Sequence, residues 1–179
     1  LVLICVAGSV QVSGKNEKGL VGAIKVETPK RPKGQKDVLL LIAPKLDTVR
    51  VGFIGVGNRG ISAVERWTKI PGAKITAICD LRPELVESAQ NTVVKAGMPK
   101  AATYDTDENA WKQLCQRDDV DLVYIVTDWI PHAEMARFAM ECGKRAVIEV
   151  PTAMSMDEIW MLIATSEKPR KHCMMLDIC

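Results

Sequence analysis

Aromatic side chains are scarce, at 4% of 179 residues, which leaves little material for the stacking platforms of single-stranded nucleic-acid binders. There is no basic excess either. Lys and Arg number 24 against 22 Asp and Glu, a formal charge of +2, which gives no support for a strongly cationic nucleic-acid face. Six cysteines are present, yet no CxxC pair and no Cys/His spacing of a zinc site occurs, and His appears only twice. The thiols therefore read as buried or incidental, and no metal is expected. No apolar run is long enough to span a bilayer as a helix, and no internal repeat is visible.

What is present is ordinary for one globular α/β domain: 47% hydrophobic and 26% charged residues. Leu1–Val10 is apolar, with small residues towards its end, like the apolar region of a secretory signal. Residues 1–20 are read as the remnant of an export signal, which would place the protein in the periplasm or at the cell surface. A stray apolar strand is the alternative, and then the protein is cytoplasmic. Residues 21–48, dense in Lys and Gly and punctuated by Pro29 and Pro32, read as an extended, solvated arm. The apolar patch Val38–Ile42 is expected to lie on the domain. Residues 49–179 form that domain, truncated before any second one.

From Val49 the pattern alternates. Short apolar runs at 49–54, 73–79, 122–127, 146–150 and 172–176 predict buried strands. Helical spacing predicts helices over 59–70, from Pro83 to about Gly97, over 107–116 and over 133–141, the last closed by Gly143. Ser155, with Glu158 three residues on, predicts a capped helix to about Ser166. Strands alternating with helices imply a Rossmann-type, doubly wound parallel sheet.

Gly55-Val56-Gly57-Asn58-Arg59-Gly60 is a GxGxxG loop after a strand and before a helix. In that context Gly55 permits the tight turn, Gly57 the approach of a pyrophosphate, and Gly60 close helix–strand packing. Asn58 and Arg59 open a helix whose N-terminus suits phosphate. Asp80 ends the second strand, 20 residues after Gly60, where a carboxylate bonds a ribose hydroxyl and repels a 2′-phosphate. NAD is thus expected over NADP, with Arg82 as the side chain that would accept a 2′-phosphate instead. Trp129, Ile130, Pro131 and His132 follow the third strong strand and should border the cofactor, with Trp129 beside a ring and His132 near ribose or capping its helix. Glu149 and Val150 end the next strand, near where nicotinamide would lie.

The order of these signatures over residues 49–176 resembles the N-terminal domain of the glucose–fructose oxidoreductase and inositol dehydrogenase (Gfo/Idh/MocA) family. Most dehydrogenases of that family carry Glu-Lys-Pro where Glu149-Val150-Pro151 stands, and the lysine serves catalysis. One branch shares the departure. Val49–Gly60, Ala63-Val64-Glu65-Arg66-Trp67, Asp121–Trp129, Glu149-Val150-Pro151, Ser166-Glu167-Lys168 and Arg170-Lys171-His172-Cys173-Met174 are similar to glycoside hydrolase family 109, the NAD-dependent α-N-acetylgalactosaminidases. Val26-Glu27-Thr28-Pro29, Arg31-Pro32 and Asp37-Val38 are similar to exported members. The resemblance implies cofactor contact at Asn58, Arg59, Asp80, Trp129 through His132, Glu149 and Val150. Pro131 replaces the first of two histidines found in many relatives, and Asp177-Ile178 replaces a Glu-Asn pair.

The resemblance further implies redox-assisted cleavage of α-linked N-acetylgalactosamine, with NAD transiently oxidising the sugar at C3 so that the C2 proton can leave with the glycosidic group. Paired hydrolytic carboxylates are not needed. The sugar-binding residues would lie in an absent α+β substrate domain, so the catalytic residues are unknown and this chain alone would be inactive. A glycan is the expected partner of the whole protein, with no nucleic acid; a homo-oligomer is left open. The alternatives are a sugar or inositol dehydrogenase and a non-catalytic dinucleotide-binding fragment.

Overall fold

Each apolar run beyond Val49 becomes a parallel strand. The structure, a computed structural model, describes residues 11–16, 19–25 and 28–176, the first two stretches by their backbone only. In chain order the elements are β1 (Gln11–Asn16), β2 (Gly19–Lys25), β3 (Val49–Ile54), α1 (Asn58–Trp67), β4 (Ala73–Cys79), α2 (Pro83–Lys95), β5 (Ala102–Tyr104), α3 (Ala110–Cys115), β6 (Leu122–Ile125), α4 (His132–Glu141), β7 (Arg145–Glu149), α5 (Met156–Glu167) and β8 (Cys173–Leu176).

Six strands form one parallel sheet in the order β5-β4-β3-β6-β7-β8. Both its faces are covered, which is why Leu122–Ile125 is apolar at every position and fully buried. Val64, Val93, Phe53, Ile78 and Tyr124 pack under α1 and α2. Leu114, Ile125, Ala136, Met140, Ile148 and Leu162 pack under α3, α4 and α5. The chain winds from β3 outward to β5, then crosses to β6 on the other side of β3. The crevice between the carboxyl ends of β3 and β6 is the switch point where such sheets bind ligands.

Local chemistry sets the helix starts. Pro83 occupies the first turn of α2, where its missing N–H costs nothing. Ser155 caps α5 by accepting the Glu158 N–H at 3.2 Å. Glu158 reaches back to the Met154 N–H at 2.6 Å, one residue before the reciprocal contact of a standard capping box.

The arm departs from expectation. Residues 11–16 and 19–25 pair as an antiparallel ribbon, so the boundary drawn at residue 20 falls inside β2. The expected export segment Leu1–Val10 lies outside the described residues. The apolar patch is only partly covered: Val38 and Leu41 are half-buried, while Leu40 and Ile42 are 90% and 88% exposed. Polar contacts hold the arm. Arg31 grips the buried Glu167 carboxylate with two bonds, Nε to Oε2 at 2.9 Å and Nη2 to Oε1 at 2.7 Å. Gln35 Nε2 adds a third at 2.8 Å. Arg170 donates to the Lys36 and Asp37 carbonyls, and His172 Nε2 lies 2.9 Å from the Leu41 carbonyl. A buried carboxylate must be paired, and here the arm supplies the pair.

Among the described residues no helix is long and apolar enough to cross a membrane, and no group of three or more His, Cys, Asp or Glu could hold a metal ion.

Candidate functional site

The glycine loop turns directly out of β3. Gly55 has φ +87°, and a Cβ there would lie 2.6 Å from the Val126 carbonyl oxygen. A Cβ on Gly60 would lie 2.2 Å from the Gly55 carbonyl oxygen. The fold itself demands these two glycines. Gly57 is different: a Cβ there would meet only the end of the Arg82 side chain, at 3.3 Å. Nothing in the backbone requires glycine at 57, so the open space above it is available to a ligand that must come close to the main chain. Gly57 also begins α1, with no side-chain cap and no acidic residue in the first turn. The first-turn N–H groups and positive end of α1 therefore face that space, with Asn58 and Arg59 exposed beside them.

Asp80 follows β4 and is largely buried, its side chain 10% exposed. Its Oδ2 accepts the Val56 N–H at 2.8 Å and its Oδ1 the Arg82 N–H at 3.1 Å. The Arg82 guanidinium lies 3.7 Å from Oδ1. A carboxylate offers about four acceptor positions, so two hydrogen bonds leave capacity for a hydroxyl pair.

The loop after β6 supplies the other wall. Trp129 and Ile130 are 59% and 83% exposed at the crevice, and Pro131 is half-buried. His132 turns inward and is completely buried. Its Nδ1 lies 2.8 Å from the Pro151 carbonyl and its Nε2 3.1 Å from the Thr127 carbonyl. The ring ties the loop after β6 to the loop after β7, where the Val150–Pro151 peptide is cis.

Glu149 ends β7, with its side chain 4% exposed. Oε1 accepts the Tyr124 hydroxyl at 2.8 Å. Oε2 faces Arg59 Nη1 at 3.5 Å but has no hydrogen-bond partner. Among the described residues the buried side-chain oxygens left without a hydrogen bond are Glu149 Oε2, which has only its ion pair with Arg59, and Thr152 Oγ1, three residues further along the chain. Buried polar atoms are nearly always hydrogen-bonded, so this pair has acceptor capacity that a bound ligand could use. Val150, half-buried between them, offers no polar group.

The sequence-identified residues thus converge on one edge: the glycine loop, Asp80, the 129–132 loop and Glu149-Val150. Tyr124 and Thr152 were not among them. Tyr124 sits in an apolar strand and reads as core, and Thr152 carries no motif. Their only signal is an oxygen that a buried position must satisfy. Burial and the Glu149 carboxylate push the Tyr124 hydroxyl well above the ordinary tyrosine range.

Residues 49–176 match the family model described as an oxidoreductase family with an NAD-binding Rossmann fold. The chain is 64% identical over 162 residues to a protein named Glycosyl hydrolase family 109 protein 1 from Bacteroides thetaiotaomicron, covering 90% of this chain and 35% of that one. It is 59% identical over 180 residues to a protein of the same name from Phocaeicola vulgatus, covering 100% and 38%. The chain thus spans just over a third of the length of these curated relatives. Among solved structures, the myo-inositol dehydrogenase of Lactobacillus casei in complex with NAD(H) and myo-inositol is 26% identical, with a TM-score of 0.57 over 66% of this chain and 33% of that one. A variant of a 3-ketoreductase from Actinomadura kijaniata, in complex with TDP-benzene and NADP, is 25% identical, with a TM-score of 0.60 over 72% and 38%.

Proposed function

This chain belongs to the Gfo/Idh/MocA oxidoreductase family and is the NAD-binding Rossmann domain of a glycosyl hydrolase family 109-type protein, and on that premise we propose that the whole protein is a redox-assisted glycosidase acting on α-linked N-acetylgalactosamine. The fit to a dinucleotide rests on the space over Gly57 and on Glu149 Oε2, which accepts no hydrogen bond within the chain. The α1 N-terminus and Gly57 would receive the pyrophosphate, Asp80 the adenosine ribose, and Glu149, with Val150 and the 129–132 loop, the nicotinamide end. Bound NAD supplies reversible oxidation of a sugar carbon. This chain's residues bind and orient it.

The observation that carries the glycosidase reading is Val150. Most dehydrogenases of this family carry at that place a lysine that serves catalysis, and the valine side chain has no group to exchange a proton. Export, expected from the apolar run Leu1–Val10, is part of the same proposal.

The test is a chromogenic α-N-acetylgalactosaminide assay on a longer protein that joins this domain to its substrate domain. Cleavage without net NADH is expected, with the sugar held against the nicotinamide. Steady accumulation of NADH from free sugars, without cleavage, would move the assignment to a sugar dehydrogenase.

A further inference from the structure

We infer that Tyr124 is a positioning residue for the cofactor: its hydroxyl engages Glu149 Oε1 so that Oε2 is kept as the acceptor facing the dinucleotide. The inference rests on the reading that this edge holds NAD.

The packing of Tyr124 needs only an aromatic ring. It is completely buried, 5.3 Å from the Phe53 ring and 6.0 Å from the Trp67 ring, centroid to centroid. A phenylalanine would fill that place without burying a hydroxyl. Burying one costs free energy unless it is bonded, and this hydroxyl is bonded at 2.8 Å to the carboxylate at the β7 end. The groups facing the pair are cationic: Arg59 Nη1 from the start of α1, 3.5 Å from Glu149 Oε2, and Arg66 from the end of α1, beside the tyrosine hydroxyl. Arg59 is 62% exposed and long, so it does not by itself fix the carboxylate's rotation. The rigid, fully packed tyrosine does. Without its bond, Oε1 as well as Oε2 could close on Arg59, and no single oxygen would be held for the ligand. Tyr124 therefore acts through Glu149 and touches no cofactor atom itself.

A double-mutant cycle read by calorimetric titration with NAD⁺ tests this. Tyr124→Phe is expected to weaken NAD⁺ binding about tenfold, the scale of one hydrogen bond to a charged group. In a Glu149→Gln background the same change should cost less than about twofold, because the group it acts through is altered. Unfolding midpoints recorded for each variant separate loss of binding from loss of fold. Equal losses in the two backgrounds, or no loss in either, would overturn the inference while leaving the NAD site standing. A wild-type chain that does not bind NAD⁺ would overturn both. A second measurement leaves Tyr124 in place. The chain has two tyrosines, so fluorotyrosine incorporation gives two ¹⁹F resonances, assigned with Tyr104→Phe. The Tyr124 resonance should shift on NAD⁺ addition and lose most of that shift in Glu149→Gln; an unmoved resonance would refute the coupling.

Discussion

Asp80 accepts the backbone N–H of Val56 at 2.8 Å, so the carboxylate beyond β4 and the glycine loop beyond β3 are one unit. The residue expected to select the ribose also braces the loop expected to hold the phosphates. Asp80→Ala should therefore do two things at once. It should weaken NAD⁺ binding about ten- to a hundredfold, the scale of a lost charged hydrogen bond. It should also speed amide exchange at Val56, measurable by hydrogen–deuterium exchange. Normal exchange with weakened binding would confine Asp80 to the ligand.

Two glycines of the loop should part company on mutation. Gly60→Ala places a Cβ 2.2 Å from the Gly55 carbonyl oxygen and should destabilise the fold by about 2–3 kcal/mol, seen in urea unfolding. Gly57→Val meets only a flexible arginine end and should fold with little loss, yet bind NAD⁺ far more weakly. A folded Gly57→Val that binds normally would move the phosphate site elsewhere.

His132 should behave as a structural tie. Its buried ring lies between the Thr127 and Pro151 carbonyls, at 3.1 and 2.8 Å. His132→Ala should cost about 2–4 kcal/mol of stability through the lost contacts and the cavity left behind. Exchange should rise at 127–132 and 150–152 together. A change confined to NAD⁺ affinity, with stability intact, would instead make the ring a ligand contact.

Acid should unfold the domain through paired carboxylates. The Arg50 side chain, bonding at 2.8 and 2.7 Å, holds the Asp121 carboxyl below its usual range, and Arg31 does the same for Glu167. A folded-state value below the unfolded one means that the unfolded chain binds protons first as pH falls. The stability from these pairs is fully present above about pH 5 and is lost as pH drops below about 4. Asp121→Asn should flatten that acid limb of a urea-midpoint profile and leave its shape between pH 6 and 8 unchanged. An unaltered acid limb would show that the pair is not coupled to folding.

The sheet was legible because its strands are buried on both faces and its helices keep their period; the site's outline was legible because the glycine loop and Asp80 carry chemistry that only their spacing reveals. Other features were hidden for physical reasons. β5 is three residues long at the sheet's edge, below the length at which a pattern shows. The Arg31–Glu167 clasp joins residues 136 apart, and neither side chain announces a partner. The β1–β2 ribbon lies in a stretch rich in Gly and Lys, where no period stands out. Tyr124 looks like core because it is core; only the 2.8 Å bond to Glu149 gives its hydroxyl a purpose.

The most direct test of the central claim is calorimetric titration of the purified chain with NAD⁺ and with NADP⁺. Binding of NAD⁺ at about tenfold or more higher affinity is predicted, because a 2′-phosphate beside the Asp80 carboxylate is repelled. Binding of neither would contradict the site. Equal affinities, or a preference for NADP⁺, would contradict the role given to Asp80 and hand the ribose edge to Arg82.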